Sequence, residues 1–203
     1  MKTLKRRLII CSLCIASAVL LASCAGQPQR LAEADYTNRY LPIPIESAPK
    51  ANARQLTAFF LASNPAANRE RVSRLAQIYI EEAAEEGINS DIAFCQMVHE
   101  TNYLRFGADV REEQNNFCGL GATGGGEPGH SFQTPRLGAR AHIQHLKAYA
   151  NSRPLRKTRI DPRFELVDRG SSPHIAGLTG TWATDPQYDR KLRRKLRDLE
   201  SFL

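Results

Sequence analysis

A mainly α-helical fold is predicted for this chain of 203 residues by three observations. Apolar residues recur at three- and four-residue spacing in successive segments from about Ala51 to the end. Residues that start and stop helices bracket those segments. No strand-rich region and no internal repeat interrupts them. The roughly 150 residues involved can bury about two-thirds of their unfolded surface around one core, so a single domain suffices.

The chain opens with MKTLKRRLIICSLCIASAVLLASC. Lys2, Lys5, Arg6 and Arg7 precede an uncharged apolar run from Leu8 to Ala22, about the length of a signal-peptide core and short for a bilayer span. This is read as an export signal rather than a domain. Its end, Leu21-Ala22-Ser23-Cys24, resembles a bacterial lipobox, which predicts a signal over 1–23 and a mature chain anchored to a membrane by lipid on Cys24. An ordinary secretory signal with a chance cysteine is the alternative. Ala25, rather than Asp, after the cysteine fits a place in the cell envelope on the outer membrane facing the periplasm if the cell is Gram-negative. Residues 24–51 are polar and carry Pro28, Pro42, Pro44 and Pro49, so they are read as a tether, although YLPIPI is apolar enough to lie against the domain.

The domain is expected over 52–203. ARQLTAFFLASNP supplies a short helix, and PAANRERVSRLAQIYIEEAAEEG a second with Val72, Leu75, Ile78 or Tyr79, and Ala83 on one face and Gly87 as its stop. NSDIAFCQMVHETNYL starts a third at Ser90, with Asp91 favourable to the helix dipole. That helix is apolar almost all round, which predicts a central, buried position. The glycine-rich NNFCGLGATGGGEPGHSF cannot be a long regular element. Thr134 and Pro135 then open a helix with Ala139, Ile143, Leu146 and Ala150 at helical spacing. Asp185 and Pro186 start the last helix, whose inward stripe is Tyr188, Leu192, Leu196, Leu199 and Leu203.

The net charge of +7 belongs largely to the leader: without its four basic residues, 24 Lys+Arg stand against 21 Asp+Glu, about +3. No basic stripe interleaved with aromatics occurs, so a nucleic-acid partner is not implied. A mild positive balance suits approach to an anionic cell wall. With Cys11, Cys14 and Cys24 accounted for at the leader, Cys95 and Cys118 remain. In an oxidising compartment they form a disulfide, or they are two buried thiols acting as small hydrophobes.

His99-Glu100 invites a zinc reading, but a zincin helix needs a second His four residues after the first, and that position is Tyr103. No other cluster with ligand spacing replaces it, so no metal and no organic cofactor is expected. His142 and His145, three apart, either touch one ion or pack in the core. No Gly-x-Ser-x-Gly elbow occurs. A Cys/His amide-cleaving enzyme would use Cys95 or Cys118, yet Cys95 falls inside the buried helix. Glu100 differs, because a carboxyl group closing an apolar helix against a Gly/Asn-rich loop can have its charged form desolvated and its pKa raised. A raised carboxyl pKa is what a general acid in glycoside cleavage requires.

Four stretches, HETNYLRFG, QNNFCGLGA, TPRLGARAHIQHLKAYA and WATDPQYDRKL, resemble the bacterial glucosaminidases of glycoside hydrolase family 73, across nearly the whole domain. The resemblance implies a single lysozyme-like domain that cleaves the β-1,4 bond after N-acetylglucosamine in peptidoglycan glycan strands. It puts the general acid on Glu100 and a cleft-lining tyrosine on Tyr188, which also begins the last helix stripe. Asn116 and Phe117 match the turn beneath the cleft.

The sequence departs from the family in the interval before Phe132, where a short glycine-rich loop stands in place of a larger β-lobe bearing a water-activating carboxylate. Glu127 is that loop's acidic residue and is the candidate base, while Asp109, Glu112 and Glu113 are expected to be solvated. Trp182, Tyr103, Phe106 and Phe132 offer ring faces for sugars, and Asn102, Gln114 and Asn115 offer hydrogen bonds. For Trp182 and Phe132, core packing is the competing role. The expected molecule is a monomer; a catalytically inactive, peptidoglycan-binding lipoprotein of the same fold is the alternative.

Overall fold

The computed structural model describes residues 31–38, 40–107 and 109–203, so the expected signal over 1–23 and Cys24 lie outside the described residues. Among the described residues, five α-helices form the domain: α1 (Ala53–Ser63), α2 (Arg69–Glu86), α3 (Ser90–Glu100), α4 (Pro135–Ala150) and α5 (Tyr188–Glu200). Single 3-10 turns occupy Glu112–Gln114, Phe164–Leu166 and Ile175–Leu178, and β pairing among the described residues is confined to isolated bridges. The molecule is a small, mainly helical, lysozyme-like domain.

α3 is the axis of the core. Ile92, Ala93, Phe94, Cys95, Gln96, Met97 and Val98 are all fully buried, as an all-round apolar helix requires. It packs against each of the other four helices. Its N-cap is Asn89 rather than Ser90: the Asn89 side chain accepts from the backbone N–H of Asp91 and Ile92. α2 turns its Val72, Leu75, Tyr79 and Ala83 face to this core and stops at Gly87 in the left-handed conformation.

α2 also lies along α4, where charge joins apolar contact. The Glu82 carboxylate takes hydrogen bonds from Arg136 and Arg140. Deeper still, Lys147 and Glu86 are buried together at 2.7 Å, and Glu86 also accepts from the backbone N–H of Arg156 and Lys157. Burying this pair is tolerable because the polar valences are filled.

Part of the expected tether belongs to the domain. Tyr36, Ile43 and Ile45 are fully buried. The Tyr36 hydroxyl donates to Asp91, Lys50 donates to Asp91 through its backbone and to Glu200 through Nζ, and the Ile45 carbonyl accepts from Asn89. Residues 31–51 thus clamp the start of α3 to the end of α5, because prolines that prevent helix do not prevent Ile43 and Ile45 from filling the core.

Two expectations for α5 shift. The helix starts at Tyr188, two residues later than Pro186, with Asp185 accepting from the backbone of Gln187 ahead of it. Tyr188, Leu192, Leu196 and Leu199 form its buried stripe, but Leu203 lies past the helix end and is exposed. The disulfide does not form either: Cys95 and Cys118 are both free and buried. The charges around Cys95 are Asp91, Lys195 and Asp198, whereas those around Cys118 are Glu100 and Asp161. The two thiols therefore occupy different surroundings, and burial pushes both pKa values up.

Candidate active site

Glu100 is the last residue of α3, at the negative end of the helix dipole, where an anion is disfavoured. The chain then turns sharply. Asn102, Tyr103, Leu104 and Phe106 all have φ between 49 and 59°. Such left-handed stretches of non-glycine residues are costly and need support. Support comes from Thr101, whose hydroxyl donates to the Met97 carbonyl and accepts from the Leu104 backbone, and from Asn64, which donates to the Tyr103 carbonyl. The turn carries the backbone out of α3 directly after the carboxyl group.

Glu100 lines a cleft of about 340 Å³. The opposite wall is the loop at 116–124, held by Asn116: its amide donates to the carbonyls of Leu120 and His130, and its oxygen accepts from Leu120 N–H. Asn116 is buried yet borders the cleft, which suits a residue that shapes the loop from beneath. Phe117, also in the sequence motif, is fully buried against Tyr79 and has a purely packing part.

Two donors converge on one oxygen of Glu100. Tyr188 Oη donates to Oε1 at 2.5 Å, and Trp182 Nε1 donates to the same atom at 3.1 Å. Oε2 takes no part in these bonds. By surface area Glu100 is exposed, but the water it meets is that of a narrow cleft, and protein crowds its carboxyl on the remaining sides. Desolvation therefore raises its pKa, against the lowering pull of the Tyr188 and Trp182 hydrogen bonds. A carboxyl group whose protonated form is favoured beside an open groove can hand a proton to a bound ligand.

Trp182 is set by rings behind it. His142, His145 and Tyr149 surround its indole at centroid distances of 5.6, 5.1 and 5.6 Å. His145 is itself fixed by Asp161 at 2.8 Å. Both ring nitrogens of His142 are engaged, by Tyr79 and Gln96, so His142 and His145 do not share an ion. Among the described residues no group of three His, Cys, Asp or Glu stands close enough to hold a metal. His99 packs against the Tyr188 ring at 5.5 Å, and burial with Lys195 and Lys191 nearby lowers its pKa.

Several sequence-nominated residues fall elsewhere. Glu127 is exposed and is not part of the cleft lining; it lies in a glycine turn bridged to Gly124. The acidic residue that lines the cleft with Glu100 is Asp109, whose Oδ1 accepts from the Gly126 backbone and so ties down the glycine loop. Asn102 is exposed outside the cleft. Tyr103 turns inward, its ring 5.6 Å from Phe60 and 6.3 Å from Phe59, because the left-handed turn reverses its direction. Phe106 does line the cleft, and Gln114 anchors the loop by donating to the Pro128 carbonyl. Gln96 went unnoticed in the sequence, since a Gln within an apolar helix gives no local signal, and of the two roles open to His142 the structure shows the core one.

Comparison with known proteins agrees with this geometry. Residues 76–201 match the glucosaminidase family described as mannosyl-glycoprotein endo-beta-N-acetylglucosaminidase, a span that includes Glu100, Asp109, Trp182 and Tyr188. An uncharacterized protein of Borreliella burgdorferi is 44% identical over 161 residues, covering 79% of this chain and 78% of that protein. No solved structure matches. With the family's span covering more than half of the chain and enclosing the whole cleft, this protein belongs to the glucosaminidase family of glycoside hydrolases, family 73.

Proposed function

We propose that this protein hydrolyses the β-1,4 glycosidic bond after N-acetylglucosamine in peptidoglycan, with Glu100 as the general acid. The observation that supports this most is a carboxyl group lining a cleft, raised in pKa by desolvation, with both protein donors on Oε1 and Oε2 left for a ligand. Family membership supplies the substrate class. Glu100 gives its proton to the leaving glycosidic oxygen as the C–O bond breaks. The carboxylate left behind is stabilised by Tyr188 and Trp182, donors already in place where charge develops.

Asp109 takes the role of the second carboxylate in this reading, in place of Glu127, facing the positive charge that grows at the anomeric carbon or receiving a proton from attacking water. Trp182 and Phe106 offer apolar ring surface for the sugars. A site built only to bind glycan would gain nothing from desolvating a carboxyl group, which favours catalysis over the catalytically quiet alternative. The lipobox-like Cys24 supports anchorage at the cell envelope, and the seven residues from Cys24 to Leu31 reach at most about 25 Å, which would keep the domain close to its membrane.

The test is digestion of purified peptidoglycan with end-group mass spectrometry. Wild type should release fragments ending in reducing N-acetylglucosamine. Glu100→Gln should lose about two to four orders of magnitude in rate. Asp109→Asn should lose a comparable share while Glu127→Gln stays close to wild type. Peptidoglycan that is bound by wild type but yields no new reducing ends would overturn the enzyme reading, and full activity in Asp109→Asn would remove Asp109 from it.

A further inference from the structure

Behind Tyr188 a line of buried side chains runs away from the cleft. Gln96 Nε2 donates to Tyr188 Oη at 2.8 Å. Gln96 Oε1 faces His142 Nε2 at 3.1 Å, and His142 Nδ1 faces Tyr79 Oη at 2.8 Å. Gln96, His142 and Tyr79 are each fully buried and come from three different helices, α3, α4 and α2. None of them borders the cleft.

The chemistry of the groups gives the line one direction. Burial lowers the His142 pKa to about 3, so its ring is neutral and carries a single N–H. An amide oxygen only accepts, so that N–H sits on Nε2 and points to Gln96 Oε1. Nδ1 is then an acceptor, and Tyr79 donates to it. Tyr188, receiving from Gln96, has its own proton free for Glu100 Oε1. The reverse sense would have Glu100 donate to Tyr188 through Oε1. Trp182 opposes that, because an indole N–H can only donate and already points at Oε1.

We propose that Gln96, His142 and Tyr79 are a positioning chain that locks Tyr188 as a donor to Oε1 of Glu100, leaving the acid proton on Oε2, the oxygen free for the glycosidic bond. This rests on the reading of Glu100 as general acid. When the Oε2–H bond breaks and the proton joins the leaving oxygen, the new charge on the carboxylate is met by hydrogen bonds that all point towards it. Donors aligned in series polarise one another, so the chain favours the product carboxylate more than Tyr188 alone would. The groups around Glu100 are Tyr188 from α5, Trp182 from the loop before it, and Cys118 and Asp109 from the cleft wall, while His99 packs on the Tyr188 ring. Those facing His142 are Tyr79, Gln96, His145 and the Trp182 ring.

The test uses the full chain with Tyr79→Phe, Gln96→Met, Tyr188→Phe and the double variant Tyr79→Phe/Tyr188→Phe. Tyr79→Phe removes one hydroxyl remote from substrate. It should lower kcat about tenfold with KM unchanged, a fraction of what general acid catalysis contributes. The Glu100 carboxyl, followed by 13C NMR titration, should ionise at higher pH in Tyr79→Phe than in wild type, because the charged form has lost directed support. In the double variant Tyr79→Phe should add nothing to the loss caused by Tyr188→Phe, since the chain acts through that hydroxyl. Gln96→Met should repeat the Tyr79→Phe result; if it does not fold, Tyr79→Phe alone decides. Unchanged kcat and titration in Tyr79→Phe, or losses that multiply in the double variant, would overturn the proposal. A wild type without glycosidase activity would defeat the functional reading instead, and the titration would still report on the chain.

Discussion

Glu100 shows how one side chain can be exposed in area and still have its protonated form favoured by its surroundings. The decisive partner is Trp182, because it donates without being able to accept. Trp182→Phe keeps an aromatic ring against His142, His145 and Tyr149 but deletes the N–H to Oε1. That bond lowers the Glu100 pKa, so its loss should raise it further. A general acid works when protonated, and activity falls as pH rises through its pKa. The alkaline limb of kcat/KM for Trp182→Phe should therefore move to higher pH, while kcat drops on the order of a hundredfold through the missing donor. A limb that stays in place would show that the indole N–H does not bear on Glu100. Glu100, Trp182 and Tyr188 were all legible in the sequence, through a helix end and a motif. Glu127 misled because nearness to glycines in sequence says nothing of which way a loop faces, and Asp109 was passed over as a solvated acid. The hydrogen-bond line through Gln96 and His142 was beyond reach, since its bonded partners lie 92, 46 and 63 positions apart.

Among the elements, the turn after α3 and the start of α4 decide where the cleft walls stand. Gly138, in the second turn of α4, meets the Asn115 backbone so closely that an added Cβ would lie 1.8 Å from its carbonyl oxygen. No flexible side chain can yield there. Gly138→Ala should push α4 and the loop apart, costing about 1 to 3 kcal/mol or more. The melting temperature should fall by several degrees, and peptidoglycan digestion should fall with it because Asn116, next in the chain, lines the cleft. A variant with unchanged melting and activity would show that the contact relaxes freely. The helices themselves were readable because each buries one stripe, and the caps Asn89 and Gln187 differ from the sequence expectation only by one or two residues. The left-handed run at Asn102, Tyr103, Leu104 and Phe106 was not readable, as no glycine or other local cue marks it. The apolar YLPIPI did signal that this segment lies against the domain, as Ile43 and Ile45 do, but the hydrogen bonds of Tyr36 and Lys50 with Asp91 and Asn89, far along the chain, left no local signal.

The molecule as a whole buries ionisable groups of both signs, and their response to pH is opposed. His142 protonates near 6.5 when unfolded and near 3 when folded, because burial disfavours its charged form. Between those values the unfolded chain binds the extra proton, so stability falls as the pH is lowered, by up to about 1.4 kcal/mol per unit. Burial alone would raise Glu82 and Glu86, but Arg140 and Arg136 around the first, and Lys147 with two backbone N–H groups around the second, hold both below the usual carboxylate range. Their stabilisation is present above the ordinary carboxylate pKa and is lost only as pH falls through their lower folded values. Glu100 and Asp91 act the other way: desolvation raises both, so they contribute stability below the ordinary carboxyl range that is lost as pH rises through their folded values. From pH 6.5 down to about 4.5, Glu82 and Glu86 are ionised in both states, and His142 is set against Glu100 and Asp91. Across this window the denaturant midpoint of wild type should fall more, or rise less, with decreasing pH than that of His142→Asn. His142→Asn keeps a polar amide in place of the ring and removes this proton uptake while leaving the raised carboxyl groups and the lowered His99, so the difference between the two proteins isolates His142. Equal slopes in the two proteins would show that His142 is not the neutral, buried group on which the direction of the hydrogen-bond line to Glu100 depends.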